Sequence, residues 1–125
     1  MKLTGTIDTP FPPDESIALF TPEGERAWVP GWDPHHHSDT VFTTHHDTIW
    51  VVLQTGDPRT VRYARVAPGR HAGTVEVRCR TDRTAQVTYD LTPLTPGALD
   101  EFEAGFDAML ADWERMIGEA CTTSR

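Results

Sequence analysis

From Leu99 onward the large apolar residues recur at helical spacing: Leu99, Phe102, Phe106, Met109, Leu110, Trp113 and Ile117. Asp100, Glu101, Glu103, Asp107, Asp112 and Glu114 hold the opposite side. This stripe predicts an amphipathic helix of more than four turns, with Thr95 as N-cap and Pro96 in the first helical position. A helix so apolar on one side cannot stand alone in water. The chain before it must supply a surface that receives it.

That surface is legible in a change of period. From Val41 to Leu94 apolar and polar residues alternate, giving candidate strands at 41–46, 48–54, 60–66, 73–80 and 84–92. The turn signals between them are His46-Asp47, Gly56-Asp57-Pro58, Pro68-Gly69-Arg70 and Asp82-Arg83. Short turns join neighbours antiparallel, so the run reads as a meander. Val75, Val77 and Cys79, and likewise Val87, Tyr89 and Leu91, share the dry face of their strands. Upstream, Leu3, Gly5 and Ile7 alternate as a first strand, which Pro10, Pro12 and Pro13 stop. Pro13 then opens one short helix, with Asp14 and Glu15 in its first turn. Thr21-Pro22 opens a second, which Val29-Pro30-Gly31 closes. The expectation is α+β: a curved antiparallel sheet of about six strands around a long C-terminal helix, with two short helices after strand 1. At 125 residues, one domain over 1–125 accounts for the chain.

Between the short helices and the meander lies Phe20-Thr-Pro-Glu-Gly-Glu-Arg-Ala-Trp-Val-Pro-Gly-Trp-Asp-Pro34. Indole carries a large apolar surface and one N–H that needs a partner. Trp28 and Trp32 beside a Pro-Gly turn therefore predict the rim or floor of a cavity. This segment, the Tyr63-Ala-Arg-Val-Ala-Pro-Gly69 hairpin, the Thr88-Tyr-Asp-Leu-Thr92 strand and the element order resemble the START-like or polyketide-cyclase superfamily. That superfamily, often called SRPBCC, has the helix-grip fold of the birch-pollen allergen, and the likeness is to a bacterial branch of it. The resemblance implies a sheet wrapped around the C-terminal helix with a cavity between them. It also implies a small hydrophobic or aromatic ligand, lipid- or polyketide-like, in that cavity. Two alternatives come with it: a cyclase- or dehydratase-like enzyme using the same cavity, and a protein-binding module like the activators of a heat-shock chaperone.

Composition narrows the partners. A net charge of −8 leaves no basic footprint for nucleic acid or an anionic membrane. The longest apolar run, Ile49–Leu53, is far too short to insert across a membrane. No apolar stretch follows Met1-Lys2-Leu3-Thr4-Gly5, so the expected location is the cytoplasm. Two cysteines, Cys79 and Cys121, form no CxxC pair, and Cys121 is expected near a frayed tail. No motif for a cofactor is present. Ser16, Ser38 and Ser124 lie in no GxSxG elbow, and no Gly-rich phosphate loop occurs.

The ligand-binding candidates are Trp28, Trp32, Phe42, Trp50, Tyr63, Arg65, Val75, Val87, Tyr89, Phe102, Phe106 and Met109, with His37 at the entrance. Catalytic residues are not assigned. Tyr63 and Arg65 share a face by the period of two, but an alternative register turns Arg62, Ala64 and Val66 inward instead. Either choice brings an arginine toward the core, which is costly unless it is paired or faces a polar pocket. The histidines form the other cluster. His35, His37, His45 and Asp47 are the residues that could converge on a metal, since imidazole and carboxylate both suit zinc. The loop reads more simply as a polar surface. Finally, Ile49–Leu53 is apolar on both strand faces, which a second copy of the chain would cover in a homodimer.

Overall fold

The computed structural model describes residues 1–123, and Ser124 lies outside them. β1 (Lys2–Asp8) leads into a single turn of α-helix, α1 (Pro13–Ser16), and two 3-10 turns at Ile17–Phe20 and Gly24–Ala27. Then come β2 (His35–His36), β3 (Val41–Thr44), β4 (Thr48–Leu53), β5 (Thr60–Ala67), β6 (His71–Cys79) and β7 (Thr84–Pro93). The chain ends in α2 (Asp100–Thr123). All pairings are antiparallel, and the seven-stranded sheet runs β1-β7-β6-β5-β4-β3-β2. The meander therefore occupies most of the sheet, and β1 returns to pair with β7 at its far edge.

The architecture is α+β with a long C-terminal helix, as expected, but four details differ. A seventh strand exists because His35 and His36 pair with Thr43 and Phe42. The two short helices shrink to one α turn and two 3-10 turns, each ended by a proline or a closely following turn. The strand expected over 41–46 stops at Thr44, because His46 (φ 60°) and Asp47 (φ 57°) take left-handed backbone that no strand can continue. The helix begins at Asp100 and not after Thr95. Gly97 sits at φ +77°, outside any right-handed helix, and the chain turns there so that Leu99 can bury before α2 starts.

Two close approaches shape the hollow side of the sheet. A Cβ on Gly5 would lie 2.3 Å from Leu110 Cδ1, so α2 rests almost on the backbone of β1. Asp8 N–H also donates to Glu114 Oε1 at 2.6 Å, which pins the helix to that edge. Phe106, Leu110 and Ile117 are buried beneath it. Cys121 lies within α2, partly buried against the core. The second approach is at Gly73, where a Cβ would meet Asp90 O at 2.0 Å and Leu91 Cα at 2.8 Å. Both are backbone atoms of β7, which cannot step aside as a flexible side chain would.

Gly73→Ala is accordingly expected to destabilise the protein by about 2–4 kcal/mol in urea unfolding. A loss below about 0.5 kcal/mol would show that β6 and β7 are not pinched at this point.

Candidate functional site

Strand register places the inward side chains in rows. One row crosses Phe42, Trp50, Arg65, Gly73 and Leu91; the next crosses Tyr63, Val75, Tyr89 and Leu3, with exposed Val52 at its β4 end. Tyr63 and Arg65 thus both face the hollow, which resolves the register left open by the sequence. Phe42 and Trp50 stack with ring centroids 5.9 Å apart and planes 5° from parallel. Tyr63 meets both edge-on, at 6.1 and 5.9 Å.

The roof has two pieces. α2 covers the β1 and β7 side, and the Phe20–Pro34 segment lies over β3 to β5. They meet where Trp28 approaches Trp113 edge-on at 5.6 Å and Phe20 at 6.0 Å. Trp32 completes the cover, edge-on to Phe42 and to Trp50 at 6.3 Å each.

Between sheet and roof remains a cavity of about 180 Å³. Its walls include the predicted residues Trp28, Trp32, Phe42, Trp50, Tyr63, Arg65, Val75, Tyr89 and Met109. Phe20, Glu25, Val29, Val77 and Trp113 also line it and were not anticipated. Val87, Phe102 and Phe106 do not. Val87 is fully buried in the core, while Phe102 and Phe106 pack on Tyr89 at 5.1 and 5.9 Å from the helix side. Periodicity shows that a residue points inward. It does not show which inward positions are filled by neighbours.

The polar atoms of the aromatic walls are mostly committed elsewhere. Trp28 Nε1 donates to Leu19 O and Trp32 Nε1 to Pro22 O, each at 2.8 Å. Trp50 Nε1 donates to Thr44 Oγ1 at 2.9 Å, and the Tyr63 hydroxyl donates to Phe20 O at 2.7 Å. With the N–H and O–H groups satisfied in the wall, ring faces and edges are what the hollow sees.

Three polar groups are not committed in this way. The Arg65 guanidinium lies 4.8 Å above the Trp50 ring and 5.9 Å from that of Tyr89. Its Nε donates to Nε2 of buried His71 at 3.1 Å. No carboxylate pairs with it among the described residues. Burial pushes Arg65 below its ordinary pKa, and burial together with Arg65 and Arg70 pushes His71 down as well, so His71 is a neutral acceptor. Tyr89 is 3% exposed, and its hydroxyl has no partner among the described residues. Burial chiefly raises it to about 12. Glu25, on the Gly24–Ala27 turn, likewise has no side-chain partner among the described residues. Burial raises its carboxyl to about 8, so it is largely protonated at neutral pH. Tyr63 is raised too, by burial and then by Glu25.

The histidines do not converge. His35 reaches Asp33 at 3.5 Å, His37 reaches Thr43 Oγ1 at 3.0 Å, and His45 Nε2 reaches Gly31 O at 2.7 Å. Among the described residues no group of three His, Cys, Asp or Glu could hold a metal ion. His37, just past β2, is exposed and is not among the residues that line the cavity. Cys79 is buried, and burial pushes its thiol up to about 11, away from nucleophilic use. On β4, Trp50 points into the hollow while Ile49 and Val51 take the outer face, half-buried.

Comparison with solved structures places this arrangement among known folds. The chain is similar to CalU16 from Micromonospora echinospora, with a TM-score of 0.64, 18% identity and coverage of 93% of this chain and 74% of that one. It is also similar to DynU16, a protein in the dynemicin biosynthetic locus, with a TM-score of 0.61, 16% identity and coverage of 91% and 46%. The chain thus spans under half of DynU16. A third likeness, to DR_A0006 from Deinococcus radiodurans, has a TM-score of 0.52, 15% identity and coverage of 94% and 99%. No protein-family model matches the chain, and no curated protein matches it in sequence. The structural likenesses establish the fold, an antiparallel sheet with a long C-terminal helix of the helix-grip type. No helix among the described residues is long and apolar enough to cross a membrane.

Because Glu25 binds its proton more tightly folded than unfolded, its contribution to stability is full below about pH 4.5 and is lost as pH rises through about 8. Tyr63 and Tyr89, the titratable groups that feel its charge, ionise above that window. Glu25→Gln should therefore flatten the decline, leaving the variant more stable than the parent by about 2–4 kcal/mol near pH 9. Urea unfolding at a series of pH values reads this directly. Superimposable profiles would place the carboxyl in water.

Proposed function

We propose that this protein binds a small hydrophobic or aromatic molecule in the hollow between sheet and roof. One observation carries the reading: an aromatic-walled cavity whose indole N–H groups are satisfied within the walls. Apolar walls with a few unpaired polar groups are the usual composition of a small-molecule site. The volume bounds the occupant. About 150 Å³ of apolar cavity holds a benzene, whereas drug-sized ligands use about 300–1,000 Å³. At about 180 Å³, one or two fused rings fit the closed state. Longer lipids or polyketides require the roof to part.

A second reading, a cyclase- or dehydratase-like enzyme, gains support from Glu25. A carboxyl that titrates near neutrality inside an apolar site is suited to moving a proton. The protein-binding alternative expected an exposed apolar patch. The large apolar side chains that are exposed, Met1, Val52 and Leu94, belong to three different segments, which gives it less support.

Indole, uncharged and of matching size, is the simplest probe. It should raise the melting temperature of the protein, and Val75→Phe should abolish that rise. Val75 lies mid-strand between Tyr63 and Tyr89, so the larger ring fills the hollow at a cost below about 3 kcal/mol. Organic extraction and mass spectrometry of the purified protein should likewise recover a small aromatic. Failure of both measurements would end the carrier account.

A further inference from the structure

The sheet contributes one feature that greasy walls do not explain. Arg65 stands on β5 directly across from Gly73 on β6. With no side chain beneath it on that neighbour, the arginine can lean from Trp50 toward Tyr89, and it sits between their rings at 4.8 and 5.9 Å. Among the described residues only its Nε finds a hydrogen-bond acceptor, on His71. Both terminal amino groups of the guanidinium lack an acceptor among the described residues, and Tyr89, 3% exposed, presents an unpartnered hydroxyl from the next row.

A guanidinium that is half-buried against aromatic rings and has no carboxylate partner is costly. Hydrophobic residues of similar length would pack the same space without that cost. Glu25 does not offset it, since no ion pair joins the two and the carboxyl is largely protonated at neutral pH. The hollow therefore carries an uncompensated positive charge, framed by rings and with a planar fork of free donors. That fork matches two oxygens of a carboxylate or the flanking oxygens of an enolate.

Building on the small-molecule reading above, we infer that the ligand is a one- or two-ring aromatic bearing an oxyanion, seated on Arg65 with Tyr89 donating to the same group. The ring sits among Trp32, Trp50 and Trp113, and Glu25, in the same cavity wall, is available to a hydroxyl or carbonyl. A neutral aromatic would still enter but would leave the arginine unpaired.

The test compares 2-naphthoate with its uncharged analogue 2-naphthamide, using the full chain at neutral pH. Binding is followed through the indole N–H signals of the four tryptophans in ¹⁵N-correlation spectra. The parent should bind 2-naphthoate about tenfold or more tightly than 2-naphthamide, as a charge-assisted pair in a dry site requires. Arg65→Met should bring the two within about threefold by weakening 2-naphthoate alone. Unliganded, this variant should melt no lower than the parent, because it removes an unpaired charge. Equal affinities in the parent, or a preference that survives Arg65→Met, would overturn the oxyanion inference while leaving the carrier reading intact. A clearly destabilised Arg65→Met would show that the arginine supports the fold instead. Absence of binding by either probe would overturn the carrier reading, and this inference with it.

Discussion

The contact between Trp28 and Trp113 decides what kind of interior this protein has. α2 alone covers only the β1 and β7 side of the sheet, and the Phe20–Pro34 segment covers only the other side. Their junction is a meeting of rigid rings at steep angles, Trp28 edge-on to both Phe20 and Trp113. Flat groups that meet edge-on cannot flow into the corner between them as leucine or methionine would. A hollow is what remains. The backbone carbonyls of Leu19, Phe20 and Pro22 hold the ring orientation by accepting from Trp28, Tyr63 and Trp32.

Charge inside this interior follows from the same geometry. Strand register puts Arg65 in a row with two aromatic rings on one side and a glycine on the other, so the guanidinium sits close to the Trp50 and Tyr89 rings, whose π-faces partly replace its lost hydration. Glu25 enters from the roof, where desolvation keeps it protonated. Both line the cavity, but they form no ion pair. Each keeps its hydrogen-bonding capacity for something else.

Much of this was legible in the residues. The period of two in Val75-Val77-Cys79 and Val87-Tyr89-Leu91 follows directly from the pleat, and every one of those six is buried. The helical stripe is real as well, although its start was misplaced by Thr95-Pro96, whose capping chemistry loses to the left-handed backbone at Gly97. The Tyr63–Arg65 register could not be read, because both choices bring an arginine inward and only cross-strand pairing separates them. Glu25 escaped notice altogether. Its signal was its spacing: Trp28, Val29 and Trp32 follow at three, four and seven residues, the same side of a helical turn. The histidine cluster misled in the opposite direction, since His35, His37 and His45 reach three different oxygens and not a shared centre.

The unpaired arginine has a bearing on how long such a molecule lasts. A fold that leaves a cation stranded in its own interior is least secure when vacant and firmest when filled, since any occupant that satisfies the charge adds its binding free energy to the native state. Vacant copies would unfold transiently more often and meet proteases first, so scarcity of the small molecule would thin the population of its carrier without any dedicated switch.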